Sequence, residues 1–411
     1  MSEEVKAGNA AVSSSLNQAK MVAQQQNWGL LTQCLQQLPL AKPAVDSCEN
    51  NIQQAIALSL QVLTYGDFQQ RWEIAKLLPK LGKQAIAPLV AVLENEAAEL
   101  ELRWFAIRVL SQFDEPEVVI AITELLQKSE DEELALAAAQ ALAQIGPAAV
   151  DGLTSLLQSA DTRFLAIRAL SCIRRPAVIA PLLSVVNDSS PQIRQIAVEA
   201  LGSFHDGQIP PVLVEALSDV SAAVRQEAAS ALGMRPELRQ QFSLVERLTS
   251  LLYDLNLEVC RQAALALGRL GTADAAAALF AVLRSSAPAK LKREVVRALG
   301  WMESSEALEY LHQGLSGSED VVCQEIIAVL GRQRNALKPQ ATKILSDFWV
   351  SQRGNHSRPI KQALAMSLGE LGQPEARDAL QALAQDSEQT IRLHALAALK
   401  KMANNYANER L

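Results

Sequence analysis

Residues 224–233 read Val-Arg-Gln-Glu-Ala-Ala-Ser-Ala-Leu-Gly, and this stretch decides the fold because the chain repeats it. Its outline returns from Ile193 to Gly202, Val259 to Gly268, Leu291 to Gly300, Val322 to Gly331 and Ile360 to Gly369. Weaker copies begin at Gln70, Leu102, Leu134, Thr162 and Ile391. The eleven starts, at 70, 102, 134, 162, 193, 224, 259, 291, 322, 360 and 391, therefore lie 28 to 38 residues apart. A recurrence of that length marks stacked units, each too small to bury its own apolar face and sheltered by its neighbours.

Counted from the first residue of a copy, apolar side chains fall at offsets 0, 4, 7 and 8, one face of a helix. The glycine at offset 9 reads as a left-handed helix end. A second apolar helix lies between copies, as at 85–93, 150–157 and 212–217, with Pro88, Pro181 and Pro211 near its start, where a missing N–H costs little. The unit is thus a helix A, a tight turn, a helix B and a glycine break. Six residues ahead of the B-helix arginine sits an acid, as in Asp188 and Arg194, Asp219 and Arg225, and Asp386 and Arg392. The aspartate falls in the turn, where it can cap helix B. The arginine can reach a turn carboxylate of its own or the next unit and hold the units in register.

The expectation is an all-α, right-handed α-solenoid (α-α superhelix) of about eleven helical hairpins over residues 67–402. Hydrophobic residues make up 49% of the chain but aromatics only 4%, which suits helices packed through small aliphatics better than a sheet core. Residues 1–66 lack the repeat and read as a helical cap, with helices expected at 10–26, 29–38 and 51–64, covering the exposed end of the stack. Residues 403–411 read as a polar, frayed tail. The two longest spacings place inserted loops near 236–241 and 351–359.

Composition narrows function. A net charge of −7 gives no basic footprint for nucleic acid or an anionic membrane. The first residues carry no apolar core of a signal peptide, and the longest apolar run, around 273–283, is too short to span a bilayer. Five scattered cysteines make no disulfide framework and fit a reducing cytoplasm. His205, His312, His356 and His394 are far apart in sequence, which argues against a histidine metal cage. The chain also lacks the His-Glu pairs of the helical-repeat di-iron hydroxylases, a phosphate-binding glycine loop and a nucleophile elbow. Acid pairs such as Glu132–Glu133 and Glu319–Asp320 read as solvated charges at helix N-termini.

The Asp-x5-Arg spacing with its Ala-Leu-Gly ending resembles the HEAT repeats of the cyanobacterial phycobilin-lyase-type family, over about residues 68–400. The stretches SFHDGQIPPVLVEALSD, LEVCRQAALALGRLG and RLHALAALK are also similar to the longer cyanobacterial HEAT-repeat proteins that interact with the iron–sulfur carrier IscA. The resemblance implies an adaptor in phycobilisome or iron–sulfur biology, with a phycobiliprotein or an iron–sulfur carrier as protein partner. It implies as alternatives a bilin lyase or isomerase subunit, or a chaperone that helps attach phycocyanobilin. It reaches the repeats only and assigns no catalytic residue, and a solenoid is a scaffold that many functions share.

Two features depart from the repeat. Offset 2 of helix B is usually polar (Gln195, Gln226, Arg261, Arg293, Gln324, Gln362) but in the N-terminal half is Trp72, Trp104, Leu136 and Phe164. Lys76, Arg108 and Arg168 stand at offset 6, one turn along. If helix B lines the concave side, the rings form a column there, and rings beside cations suit a partner helix or a planar acidic ligand such as a bilin. The competing reading is that they fill gaps between helices. Second, Cys260 and Cys323 replace the arginine or lysine at offset 1. Two repeats apart, at ~10 Å per layer, they cannot share one metal. Each could lend a thiolate to an iron–sulfur cluster shared with a partner, or be a small buried residue. No intrinsic cofactor is expected.

Overall fold

The computed structural model describes residues 3–38, 47–351 and 356–408, and among them every regular element is a helix. The chain divides into two compact units, residues 1–200 and 201–411.

In the first unit, helices Glu3–Gln24, Trp28–Gln36 and Ser47–Tyr65 pack on one another and against the first B helix, Phe68–Leu77. The B helices Leu100–Leu110, Glu132–Ile145 and Ala160–Cys172 follow, interleaved with the A helices Ile86–Glu94, Pro116–Lys128 and Val150–Leu156. Each B helix packs on its own A helix and on the B helices either side, giving two parallel rows. The second unit repeats the scheme, with B helices Ala222–Gly233, Leu257–Leu270, Ala289–Trp301, Asp320–Gly331, Arg358–Leu371 and Gln389–Asn408. The offset pattern is the core pattern: Leu291, Val295, Ala298 and Leu299 are buried, as are Val322, Ile326, Val329 and Leu330.

Three sequence expectations need correction. The offset-9 glycines are not left-handed ends: Gly202, Gly233, Gly268, Gly300, Gly331 and Gly369 all lie inside or at the end of helices without positive φ. They are points of close approach. A Cβ at Gly233 would stand 2.6 Å from the Cβ of Ala266, and one at Gly268 would stand 2.9 Å from that of Ala298. The facing residue is always at offset 7 of the next B helix, so the bare glycine lets that helix settle against it. Left-handed ends do occur three residues later, at Gly271 (φ 62°) and Gly372 (φ 64°). Second, residues 403–408 continue the helix Gln389–Asn408 rather than fray, although Met402 is the last buried side chain described. Third, the stretch Glu132–Leu156 is long and apolar enough for a membrane span by length and composition. It is the helix pair Glu132–Ile145 and Val150–Leu156, joined by the 3-10 turn Gly146–Ala149, and 56% of its apolar window is buried in the protein, as core helices are. The expected insertion at 236–241 is a 3-10 turn, Pro236–Leu238, followed by Ser243 in the left-handed region (φ 48°). The one at 351–359 lies partly outside the described residues.

The turn aspartates brace the turn itself rather than cap helix B. Asp188, Asp219, Asp254 and Asp386 each accept a bond from the backbone N–H two residues on, at 2.7–2.9 Å. The carboxylates of Asp188, Asp254 and Asp386 also meet a cation of the preceding B helix. Arg225 clamps Asp254 through two bonds of 2.8 Å and donates a third, of 2.7 Å, to the Asp219 carbonyl of its own turn. Lys361 meets Asp386 at 2.8 Å and Arg163 meets Asp188 at 3.0 Å. Burial pushes the Asp254 carboxyl up, but the bonds from Arg225 and from the Asn256 N–H, with the guanidinium's charge, outweigh it and hold the group below the usual carboxylate range. At the far end of helix B, Arg235 and Gln333 reach back to the Gly202 and Gly300 carbonyls of the preceding helix, at 3.1 and 3.3 Å.

Cys260 and Cys323 stand where this clamp has a cation. The Cys260 thiol donates to the Asp254 carbonyl at 3.1 Å, doing within its turn what Arg225 does at Asp219. It reaches no further, and the next turn, Ser-Ser-Ala-Pro at 285–288, has no aspartate to receive a cation. Cys323 donates to the Ser318 carbonyl at 3.3 Å. Both are buried, and burial pushes both thiols up, Cys323 to about 11.

Three outcomes are expected. Gly233→Ala, which in an exposed helix would stabilise by about 1 kcal/mol, should here destabilise by roughly 1–3 kcal/mol, read as a lower Tm in circular dichroism. Because the folded pKa of Asp254 lies below its unfolded value of about 3.9, its stabilisation is complete above that value and is lost as pH falls through the folded pKa. Asp254→Asn should therefore melt earlier at pH 7 and lose less than wild type on acidification; equal acid sensitivity would refute the clamp. In native protein a thiol reagent should label exposed Cys172 quickly and reach Cys260 and Cys323 only on unfolding, mapped by peptide mass.

Candidate functional site

The helix Phe68–Leu77 starts in a capping box: Asp67 accepts from the Gln70 N–H at 2.9 Å, and Gln70 accepts from the Asp67 N–H at 3.1 Å. Trp72, at offset 2 of this helix, is half-buried. Trp104 takes the same place on the next B helix. The Arg108 guanidinium lies over Trp72, its carbon 4.1 Å from the ring centroid, and 5.7 Å from that of Trp104. Lys76 approaches Trp72 from its own helix at 5.8 Å, while also bonded to Glu73 at 2.9 Å.

The rings continue inward. Trp104 meets Phe105 edge-on at 5.1 Å, and Phe105 is wholly buried, so the platform is rooted in the core. Phe68, 55% exposed, stacks on Trp72 at 6.0 Å and tilts against Phe105 at 5.6 Å. Phe68 was missed in the sequence because it precedes the first copy; the signal that would have found it is its i, i+4 spacing to Trp72. Trp72, Trp104, Lys76 and Arg108 thus come together. Phe164 and Arg168 form a separate pair at 5.7 Å, with Leu136 on the intervening helix. Neither Arg108 nor Arg168 has an ion pair among the described residues.

The chemistry available is recognition. Cation–π contacts of this kind contribute about 0.5–1 kcal/mol at exposed sites, and they keep each guanidinium beside its ring. Cys260 and Cys323 lie in the second unit, both buried and each donating to a backbone carbonyl of its own repeat. Among the described residues no group of three or more His, Cys, Asp or Glu could hold a metal ion.

Two solved structures agree with the fold. A chain from the structure of Kap95p with RanGDP is 13% identical, with 96% of this chain and 60% of that one covered and a TM-score of 0.56. Importin beta is 16% identical, covering 98% of this chain and 61% of that one, with a TM-score of 0.52. Human deoxyhypusine hydroxylase in complex with glycerol is 24% identical over 62% of this chain and 96% of its own, with a TM-score of 0.28. None of the curated proteins compared with the chain matches it. The family model for HEAT repeats matches in eight stretches, which together cover residues 56–331 and 347–411. With most of its length so matched, and with two rows of helices built on that repeat, the chain belongs to the HEAT-repeat family.

Proposed function

We propose that the protein is a non-catalytic scaffold that grips a protein partner on the B-helix row of its first unit. The observation that carries this is the platform of Phe68, Trp72, Trp104 and Arg108: large rings left partly open on rigid helices, with a guanidinium that no carboxylate among the described residues engages. Tryptophan and arginine dominate binding hot spots because a rigid, amphipathic side chain gains contact area at small entropic cost. The partner is a phycobiliprotein or an iron–sulfur carrier of the cytoplasm, a reading supported by the likeness of the repeats to the two cyanobacterial groups. A bilin lyase or chaperone role is the second reading, favoured by the stacked guanidinium, which suits a planar ligand bearing carboxylates. The buried thiols of Cys260 and Cys323 lend no support to a shared cluster.

Affinity capture from native lysate with wild type and with Trp72→Ala/Trp104→Ala, followed by mass spectrometry, tests the scaffold. The double variant should keep its helical circular dichroism and lose the partner by about 30-fold or more, the scale of a 2 kcal/mol hot spot. Equal capture by both would end this reading. Phycocyanobilin mixed with the protein, with and without apo-phycobiliprotein, should shift in absorbance if bilin is handled; an unchanged spectrum removes that alternative.

A further inference from the structure

The two units treat the same cations differently. In the second, Arg297 at offset 6 meets Glu325 of the next B helix at 2.8 Å and Glu294 of its own at 2.9 Å. Arg293 meets Glu325 at 2.9 Å, and Arg261 meets Glu294 at 3.2 Å. The acceptor is a glutamate at offset 3, nearly buried between two arginines. In the first unit offset 3 carries Glu73, then Phe105, Ala137 and Leu165. Glu73 is occupied by Gln36, Gln69 and Lys76. Beyond it offset 3 carries no acid, while offset 6 carries Arg108, Gln140 and Arg168. Where Arg297 finds Glu325, Arg108 has Ala137 at the matching place. In a chain of net charge −7, two guanidiniums rest on rings without an ion pair among the described residues.

Resting on the scaffold reading above, we infer that the partner element is an acidic amphipathic helix, whose carboxylates meet Arg108 and Arg168 as Glu325 meets Arg297, and whose apolar side chains lie on Phe68, Trp72 and Trp104. Arg108 and Arg168 stand two repeats apart, roughly 20 Å at ~10 Å per layer, and a helix of about 13 residues spans that distance. A guanidinium with no carboxylate among the described residues favours bidentate contact with a partner's carboxylate over contact with an apolar or cationic surface. In the second unit Arg297, the cation at that offset, is already met by Glu294 and Glu325.

The test uses the full chain and a fluorescein-labelled helical peptide of about 18 residues, with leucines along one face and glutamates flanking it, against the same peptide with every glutamate changed to glutamine. Anisotropy at low salt should show the glutamate peptide binding at least about tenfold more tightly, a preference that shrinks in roughly 0.5 M salt. Arg108→Gln/Arg168→Gln should abolish the preference. Ala137→Glu, which installs the missing carboxylate opposite Arg108 at a position about as buried as Glu294 and Glu325, should weaken it while thermal melting shows the fold kept. Equal binding of the two peptides, an unchanged preference in either variant, or no binding of either peptide would overturn the inference. If the peptides bind equally and Trp72→Ala weakens both, the platform stands and only the acidic character of the partner falls. If Trp72→Ala changes nothing, the scaffold reading falls with it.

Discussion

The close approach of one B helix to the next at a bare glycine is the constraint on which the second unit depends. Each hairpin has an apolar face it cannot cover alone, so the stack holds only if consecutive helices seat fully. Gly233 against Ala266, and Gly268 against Ala298, set how near they come. That nearness has an electrostatic consequence. It brings offsets 2, 3 and 6 of adjacent helices within bonding range, and the chain of Arg261, Glu294, Arg297 and Glu325 follows. A single exposed pair of this kind stabilises by about 0–1 kcal/mol. The value of a continuous chain lies in register, because a slipped repeat would strand nearly buried glutamates without partners.

The first unit is built on the same repeat without that constraint. Its offset-9 residues are Pro79, Ser111, Ala143 and Ser171, so no glycine invites the next helix into contact. The row is filled instead by rings, with Phe105 buried, Trp72 and Trp104 half-buried and Phe68 exposed. Rings replace glutamates as the surroundings of the cations. Arg108 thereby exchanges an internal carboxylate for two indole faces, an interaction that orients it without neutralising it. One scaffold thus yields a self-satisfied face and an unsatisfied one through substitutions at two offsets.

The period, the two-row fold and the cation–aspartate clamp were legible in the sequence because they rest on spacing. Roles that depend on what lies opposite were not. A glycine after the last apolar residue of a helix can end it or admit a neighbour, and only the neighbour decides. The true left-handed ends, Gly271 and Gly372, sit at offset 12 behind the glycines that look the part. Asp219 and Asp254 were correctly placed in turns, yet a turn aspartate can serve the helix or the turn, and here their N–H partners are two residues on. The Trp72, Trp104 and Arg108 grouping was legible as offsets 2 and 6. That Arg108 belongs to two rings on adjacent helices was not, because the pairing crosses repeats.

Cys260 shows how the same logic separates structural from functional departures. It breaks the offset-1 rule, but its surroundings change with it: the following turn has no aspartate, and the thiol takes the carbonyl that a guanidinium would take. The exception is closed within the protein. Arg108 breaks no rule at its own position, but the acid it would meet is gone and nothing among the described residues replaces it. Unmatched charge held rigid at a surface costs solvation whenever something covers it, unless the covering molecule carries the complement. On the scaffold reading proposed above, that asymmetry, more than the presence of tryptophan alone, is what would let the first unit's B row discriminate among the surfaces that could settle on it.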